Sequence, residues 1–369
     1  MQSFTTDHNE QISEESIPKI LTSATAVLST ERKGPTKSQE TGLMAVGSLL
    51  RYDEQTNIDI LNAALGVQKN TCPQNLTLNL QAVIAEFMAN KKRYDKKDKM
   101  VAGVTTGYVE LDKMTAGFQP SDLIILAGRP SMGKTAFAMN IAQHMALFDN
   151  IGVGIFSLEL SSELLIKRLF SSMSRVDSQR ICSGGLFPED WPIFFASLDM
   201  LKKAPIYIDD SPGITAQEIK AKVSKLAVRH KIGLIIVDYL QLMIGTTTNG
   251  NRFQEIRGIL KDLKAIAKEF EIPVLVLSQL TRNLESRQDK HPVMSDLPEP
   301  EAVKQEADVI CFIYRDEIYN KAVDNPENGS AEIIIGQQRN GQTGTCRLTF
   351  RRECMLFENE SCYDEPTKW

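Results

Sequence analysis

Six cysteines in 369 residues (Cys72, Cys182, Cys311, Cys346, Cys354 and Cys362) stand far apart, with no Cys-x-x-Cys pair and no Cys/His cluster. That scatter argues against a zinc site and, in a chain of this size, against a disulfide framework, so reduced thiols are expected. No apolar run reaches the roughly 18 residues that a bilayer span requires, and no signal-peptide core opens the chain. The expectation is a cytoplasmic protein without membrane contact. A surplus of positive charge is missing too. The net charge of -5 gives no global sign of a nucleic-acid binder, so any such surface must be local, in loops that line a groove or pore. Internal repeats and low-complexity tracts are absent. What is present is ordinary globular composition, 42% hydrophobic and 24% charged, at a length that allows one large domain plus an appendage.

Residues 1 to about 40 are rich in Ser, Thr, Glu and Lys and read as a tail. "GLMAVGSLL" and "IDILNAAL" fit short helices. Leu76, Leu80, Val83, Ile84, Phe87 and Met88 then fall on one side of a helix with Asn75 as its N-cap. One apolar stripe needs something to cover it. The run "KKRYDKKDK" reads as a solvated linker. The expected division is a tail and short helical region at 1–70, a linker helix and charged linker at 71–100, and a large domain at 101–369. Within the last, short apolar runs ("LIILAG", "VGIFSLE", "PIYIDD", "GLIIVDY", "PVLVLSQ", "VICFIY", "AEIIIG") alternate with amphipathic stretches at 134–147, from Ser162, from Ala216 and from Arg252 to Phe270. Strands without polar alternation are covered on both faces, which specifies an α/β fold with a mainly parallel sheet between helices.

"GRPSMGKT", Gly128 to Thr135, matches G-x-x-x-x-G-K-[ST] at every position, directly after a strand and opening a helix. In such a loop the backbone N–H groups of Gly128, Arg129, Pro130's neighbours Ser131 and Met132, Gly133 and the helix start at Ala136 surround phosphate oxygens. Lys134 reaches the terminal phosphates, and the Thr135 hydroxyl serves Mg²⁺. Asp238 ends the run "GLIIVD", where an acid holds the same metal through its water shell. Glu159, after "GIFSL", is a carboxylate placed for a water proton or an ordinary helix-start glutamate. Gln279, ending "VLVLSQ", either bridges a γ-phosphate and water or satisfies a turn. Arg339, in "IIIGQQRNGQTGT", stands beside Asn340-Gly341, a pair that favours a tight turn with positive φ and would hold the guanidinium out at a hairpin tip.

Together "TTGYVELDKMTAGFQPSDLIILAGRPSMGKTAFAMN", "FSLEL", "GLIIVDYLQLM", "LSQLTRNLESRQDKHPVMSDL", "ADVICFIYRDEIY" and "AEIIIGQQRNGQTGT" resemble the motor domain of the DnaB family of replicative DNA helicases over about residues 101 to 350. The resemblance implies a RecA-like P-loop ATPase core that forms a hexameric ring around single-stranded DNA and translocates on ATP and Mg²⁺, with primase and loader proteins as partners. It makes Lys134 and Thr135 the Walker A pair, Glu159 the catalytic glutamate, Asp238 the Walker B acid, Gln279 the glutamine coupling DNA to nucleotide, and Arg339 an arginine finger for the neighbouring subunit. It also makes the Leu76 to Met88 stripe the linker helix.

The chain departs from the family pattern in three places. Gln337 stands where a basic residue is usual. Pro298, Pro300 and Glu301 alter the loop that holds the DNA backbone, although Glu299 is of the family type. Little chain precedes the linker helix, as expected for an abbreviated helicase of a mobile element. Glu299, Lys304 and Arg252, with Arg282 and Arg287, are the candidate DNA contacts. Arg257, Lys261, Lys264 and Lys268 are expected on a solvated helix face. The alternative function is a DnaB-like non-motor subunit or inhibitory ATPase with a weak hold on DNA.

Overall fold

The apolar runs form strands, and the central ones bury side chains on both faces, whereas the run at 206–209 is only half-buried throughout. The computed structural model describes residues 103–245, 252–322 and 324–360; the helices expected before residue 101, the linker stripe included, lie outside them. Six strands run parallel: β1 (Leu123–Gly128), β2 (Gly152–Ser157), β3 (Ile206–Asp209), β4 (Ile232–Asp238), β5 (Val274–Gln279) and β6 (Val309–Tyr314). Three antiparallel strands extend the sheet: β7 (Ser330–Gln338), β8 (Gly344–Arg351) and β9 (Leu356–Asn359). The order is β3-β2-β4-β5-β1-β6-β7-β8-β9. Eight helices accompany them among the described residues: α1 (Val109–Thr115), α2 (Lys134–Leu147), α3 (Ser162–Ser174), α4 (Ser178–Ser183), α5 (Asp190–Lys203), α6 (Ala216–Arg229), α7 (Arg252–Phe270) and α8 (Pro300–Glu306).

Strand β1 shows why polar alternation is missing. Ile124 and Leu126 pack with Phe137, Ile141 and Met145 of α2 on one face. Leu123, Ile125 and Ala127 pack with Ile256, Ile259 and Leu263 of α7 on the other. Both faces are dry, so both registers of the strand must be apolar. In β7 and β8 burial alternates: Ala331, Ile333 and Ile335 of β7 and Cys346, Leu348 and Phe350 of β8 are buried, with less buried neighbours between, of which Ile334 packs partly against the opposite core.

The strand order places the site. From β1 the chain crosses the positions of β5 and β4 to reach β2, and the carboxyl ends of these strands meet along one edge, with Gly128 opposite Gln279 and Ser157 opposite Asp238. Open parallel sheets bind ligands at such ends. The strand expected over "VGIFSLE" stops earlier, at Ser157. Its hydroxyl donates to Leu160 O at 2.7 Å and accepts from Leu160 N at 3.3 Å, closing a turn that competes with the ladder. Glu159 therefore sits in the turn leading into α3, two positions beyond the strand.

Candidate active site

The loop between β1 and α2 closes tightly. Ser131 has φ 67° and Gly133 has φ 98°, a conformation that glycine adopts without Cβ strain. Helix α2 starts at Lys134 with no side-chain cap, so its first N–H groups remain available to an anion. Lys134 Nζ donates to Gly128 O at 2.9 Å and to Arg129 O at 3.1 Å. Burial, with help from the nearby Arg129 cation, pushes the Lys134 ammonium down to about 8, against the pull of Asp238 and Glu159. The Thr135 hydroxyl donates to Asp238 Oδ2 at 2.8 Å. Burial raises the Asp238 carboxyl above its ordinary value and Glu159 adds to that, while the Thr135 hydrogen bond, Lys134 and Arg168 oppose it.

Lys134 and Thr135 border a cavity of about 480 Å³, and Asp238 stands behind Thr135 without lining it. Pro130, Ser131 and Gly133 line it from the loop, Lys134, Thr135 and Ala136 from the start of α2, Glu159 from the turn after β2 and Gln279 from the end of β5. Three expected loop residues do not. Gly128 contributes its carbonyl to Lys134, Met132 is buried in the core, and the Arg129 guanidinium turns to Glu285 (Nε to Oε1, 2.9 Å) and Leu280 O (2.8 Å). The cavity fits a nucleoside triphosphate. Its donors are an uncapped helix start and an ammonium. Arg168 also lines it, with a buried Nε that lacks any hydrogen-bond partner. The hard oxygen pair of Thr135 and Asp238 suits Mg²⁺, which takes oxygen ligands and keeps several waters.

Sequence reasoning missed several lining residues. Arg315 follows β6 and lies with its guanidinium 3.9 Å over the Phe350 ring. It donates to Ser131 O at 3.2 Å and pairs with Glu317. Arg168, Tyr239 and Arg352 also border the cavity. Position after a strand's carboxyl end was the available signal for Arg315 and Tyr239. Arg168 had only its helical phase.

Arg339 is placed differently from the expectation. Neither Asn340 nor Gly341 has positive φ, and five residues rather than two join β7 to β8. Strand β7 keeps pairing with β6 as far as Gln338 opposite Val309, whereas β8 first pairs with β7 where Gly344 meets Ile335. That continued pairing draws the tip toward the start of β6. Arg339 folds back on its own chain: Nε donates to Ala307 O at 3.1 Å and lies 3.6 Å from Asp308 Oδ1, and Nη2 donates to Gln305 O. Gln337 Nε2 donates to Lys304 O at 3.2 Å, so the end of β7 and the turn after it both cap the carboxyl end of α8.

Three of the expected DNA-side cations are paired within the chain. Lys304 meets Glu301 at 3.2 Å, Arg252 meets Glu255 at 2.7 Å, and Arg287 meets Asp296 at 3.0 Å. Glu299 has φ 52° and stands before α8, where Pro300 takes the first helical position. The stripe on α7 is not uniformly solvated: Lys264 pairs with the buried Asp308 and donates to Ser121 O at 2.7 Å, and Arg257 lies 3.5 Å from Glu306.

Residues 103–359 match the family described as DnaB-like helicase C terminal domain. The chain belongs to the DnaB-like helicase family. The replicative DNA helicase DnaB of Geobacillus stearothermophilus is 45% identical over 289 residues, 78% of this chain and 63% of that protein. The replicative DNA helicase DnaC of Bacillus subtilis (strain 168) is 42% identical over 315 residues, 85% and 67% of the two chains. Thus the chain spans about two thirds of the length of these relatives, and less than that of the first. Among solved structures, one described as an ATPase domain matches with a TM-score of 0.70 at 34% identity, over 74% of this chain and 97% of that one. A DnaB-like replicative helicase, in a structure describing its interactions with primase, matches with a TM-score of 0.70 at 28% identity, over 93% and 76%. The mainly parallel sheet between helices is the architecture of these family ATPase domains. No described helix is long and apolar enough to cross a membrane.

Proposed function

We propose that the protein is an ATP-driven, ring-forming replicative DNA helicase that moves on single-stranded DNA and hydrolyses ATP at subunit interfaces. The observation that carries this reading is the meeting of Lys134, Thr135, Glu159 and Gln279 around a nucleotide-sized cavity at one sheet edge, with Asp238 hydrogen-bonded to Thr135, in a chain of the DnaB-like family. In this reading Lys134 and the N–H groups at the start of α2 bind the phosphates. Thr135 and Asp238 hold Mg²⁺, which when bound supplies neutralisation of phosphate charge. Glu159 accepts a proton from the attacking water, and Gln279 relates that water to the DNA side. Arg339 releases the carbonyls of Gln305 and Ala307 and enters the neighbouring subunit's cavity, a service worth roughly 10³ to 10⁵ in turnover where an arginine acts in trans. A homo-hexamer, single-stranded DNA, and primase and loader proteins are the proposed partners.

Strand displacement on a forked substrate at low salt tests the motor. Hydrolysis without any unwinding would replace it with the non-motor reading, which the ion-paired state of Lys304, Arg252 and Arg287 favours. Subunit mixing tests the interface: Arg339→Ala and Lys134→Ala proteins, each inactive alone, should recover hydrolysis when combined. Absence of recovery would argue against Arg339 acting in trans.

A further inference from the structure

Gln241 stands in a short 3₁₀ turn after β4 (Leu240–Leu242), beside the fully buried Leu240. Its side-chain amide is directed at the end of β5. Nε2 donates to Ser278 Oγ at 2.9 Å and to Gln279 O at 3.3 Å, and Oε1 accepts from Gln279 N at 3.2 Å. The ladder explains why this matters. Strands β4 and β5 pair only as far as Val237 opposite Val276, whereas on the other side β1 pairs with β5 through Gly128 opposite Gln279. The last three residues of β5, Leu277 to Gln279, therefore have no ladder partner on the β4 side. A side-chain amide carries donor and acceptor in one plane and can stand in for the missing peptide group. The other end of the same residue is also engaged. The Gln241 carbonyl accepts from Arg252 Nη2 at 3.1 Å, and Arg252 Nη1 meets Glu255 at 2.7 Å.

We propose that Gln241 is a positioning residue: it holds Gln279 toward the nucleotide cavity and links it to Arg252, a candidate DNA contact. The inference rests on the helicase reading above, in which Gln279 couples DNA to hydrolysis. When a phosphate draws the Arg252 guanidinium away from Glu255, the Gln241 backbone shifts and its amide carries that shift to Gln279.

ATP turnover with and without an oligo(dT) strand separates the two claims. In Gln241→Met, which keeps the bulk and loses the amide, the stimulation of kcat by DNA should fall about five- to tenfold, the scale of one or two lost hydrogen bonds. The KM for ATP should hold within about twofold, since no group that touches nucleotide has changed. Gln241→Met/Gln279→Ala should be no worse than Gln279→Ala alone, as expected of residues acting as a unit. Full stimulation in Gln241→Met, additive losses in the double variant, or an equal fall in kcat with and without DNA would overturn the positioning role. Full stimulation in Gln279→Ala would overturn the coupling reading itself, and this inference with it. If Gln241→Met does not fold, Arg252→Met reads the other end of the link, and unchanged stimulation there overturns the proposal.

Discussion

Single side chains carry the first consequences. Burial pushes the Lys134 ammonium down to about 8, and bound phosphates would restore its ordinary high value. Binding of nucleotide then requires the protonated form and takes up a proton once the pH passes 8. The affinity for Mg-bound nucleotide should fall by roughly tenfold per pH unit above about 8. A titration of binding from pH 7 to 9.5 checks this, and a flat profile would refute it. Asp122 is the opposite case. Burial, and then the charge of Asp308, push its carboxyl from 3.8 to about 6, with Lys264 and Arg339 opposing. The folded state thus binds the proton more tightly than the unfolded chain. The destabilising contribution is absent below 3.8, grows as pH rises to about 6, and is complete above it. Asp122→Asn should raise the melting temperature at pH 8 and do so less at pH 4.5. An equal gain at both would show that charge is not the cause.

Whole elements differ in how openly the sequence announces them. The strand–loop–helix from Leu123 to Leu147 was legible because the loop motif and both apolar patterns agree, and β4, β5 and β6 were legible as runs dry on both faces. Helix α5 was not. Trp191, Ile193, Phe195 and Met200 are exposed on it, so its apolar residues do not mark a buried face. Strand β9 is four residues long and too short to show a period. For Arg339 the chain reversal was legible, but its type and direction were not, because its hydrogen-bond acceptors lie more than thirty positions away, at Gln305 and Ala307. At the site, Lys134, Thr135, Glu159 and Gln279 were found from motif and strand-end position, whereas Arg168, Arg315 and Gln241 depend on tertiary neighbours. The loop before α2 supports a prediction of its own. At Gly133 a Cβ would sit 2.9 Å from the Phe357 ring, at φ 98°. Gly133→Ala should shift the backbone N–H groups and lower nucleotide affinity by more than about tenfold, since a left-handed L-residue alone costs roughly 1–2 kcal/mol. Calorimetric titration with ADP and Mg²⁺ measures it, and wild-type affinity would show that the loop tolerates the change.

Across the molecule, the antiparallel end of the sheet braces the parallel end. Phe357 of β9 meets Phe137 of α2 edge-on, with centroids 5.4 Å apart, and its backbone N–H donates to the Asn140 side chain at 2.8 Å. Phe350 of β8 lies 4.4 Å from Phe357 and beneath Arg315, which holds Ser131. Phe357→Ala should therefore destabilise the fold by about 3–5 kcal/mol and weaken ADP binding more than an equally destabilising change in the core far from the loop. Equal weakening would make β9 a mere filler. A ribosome making this chain has released the phosphate-binding turn more than two hundred residues before its backing exists. Nascent protein that has not yet reached residue 357 holds the motif without the wall behind it, so competence for nucleotide waits in synthesis for β9.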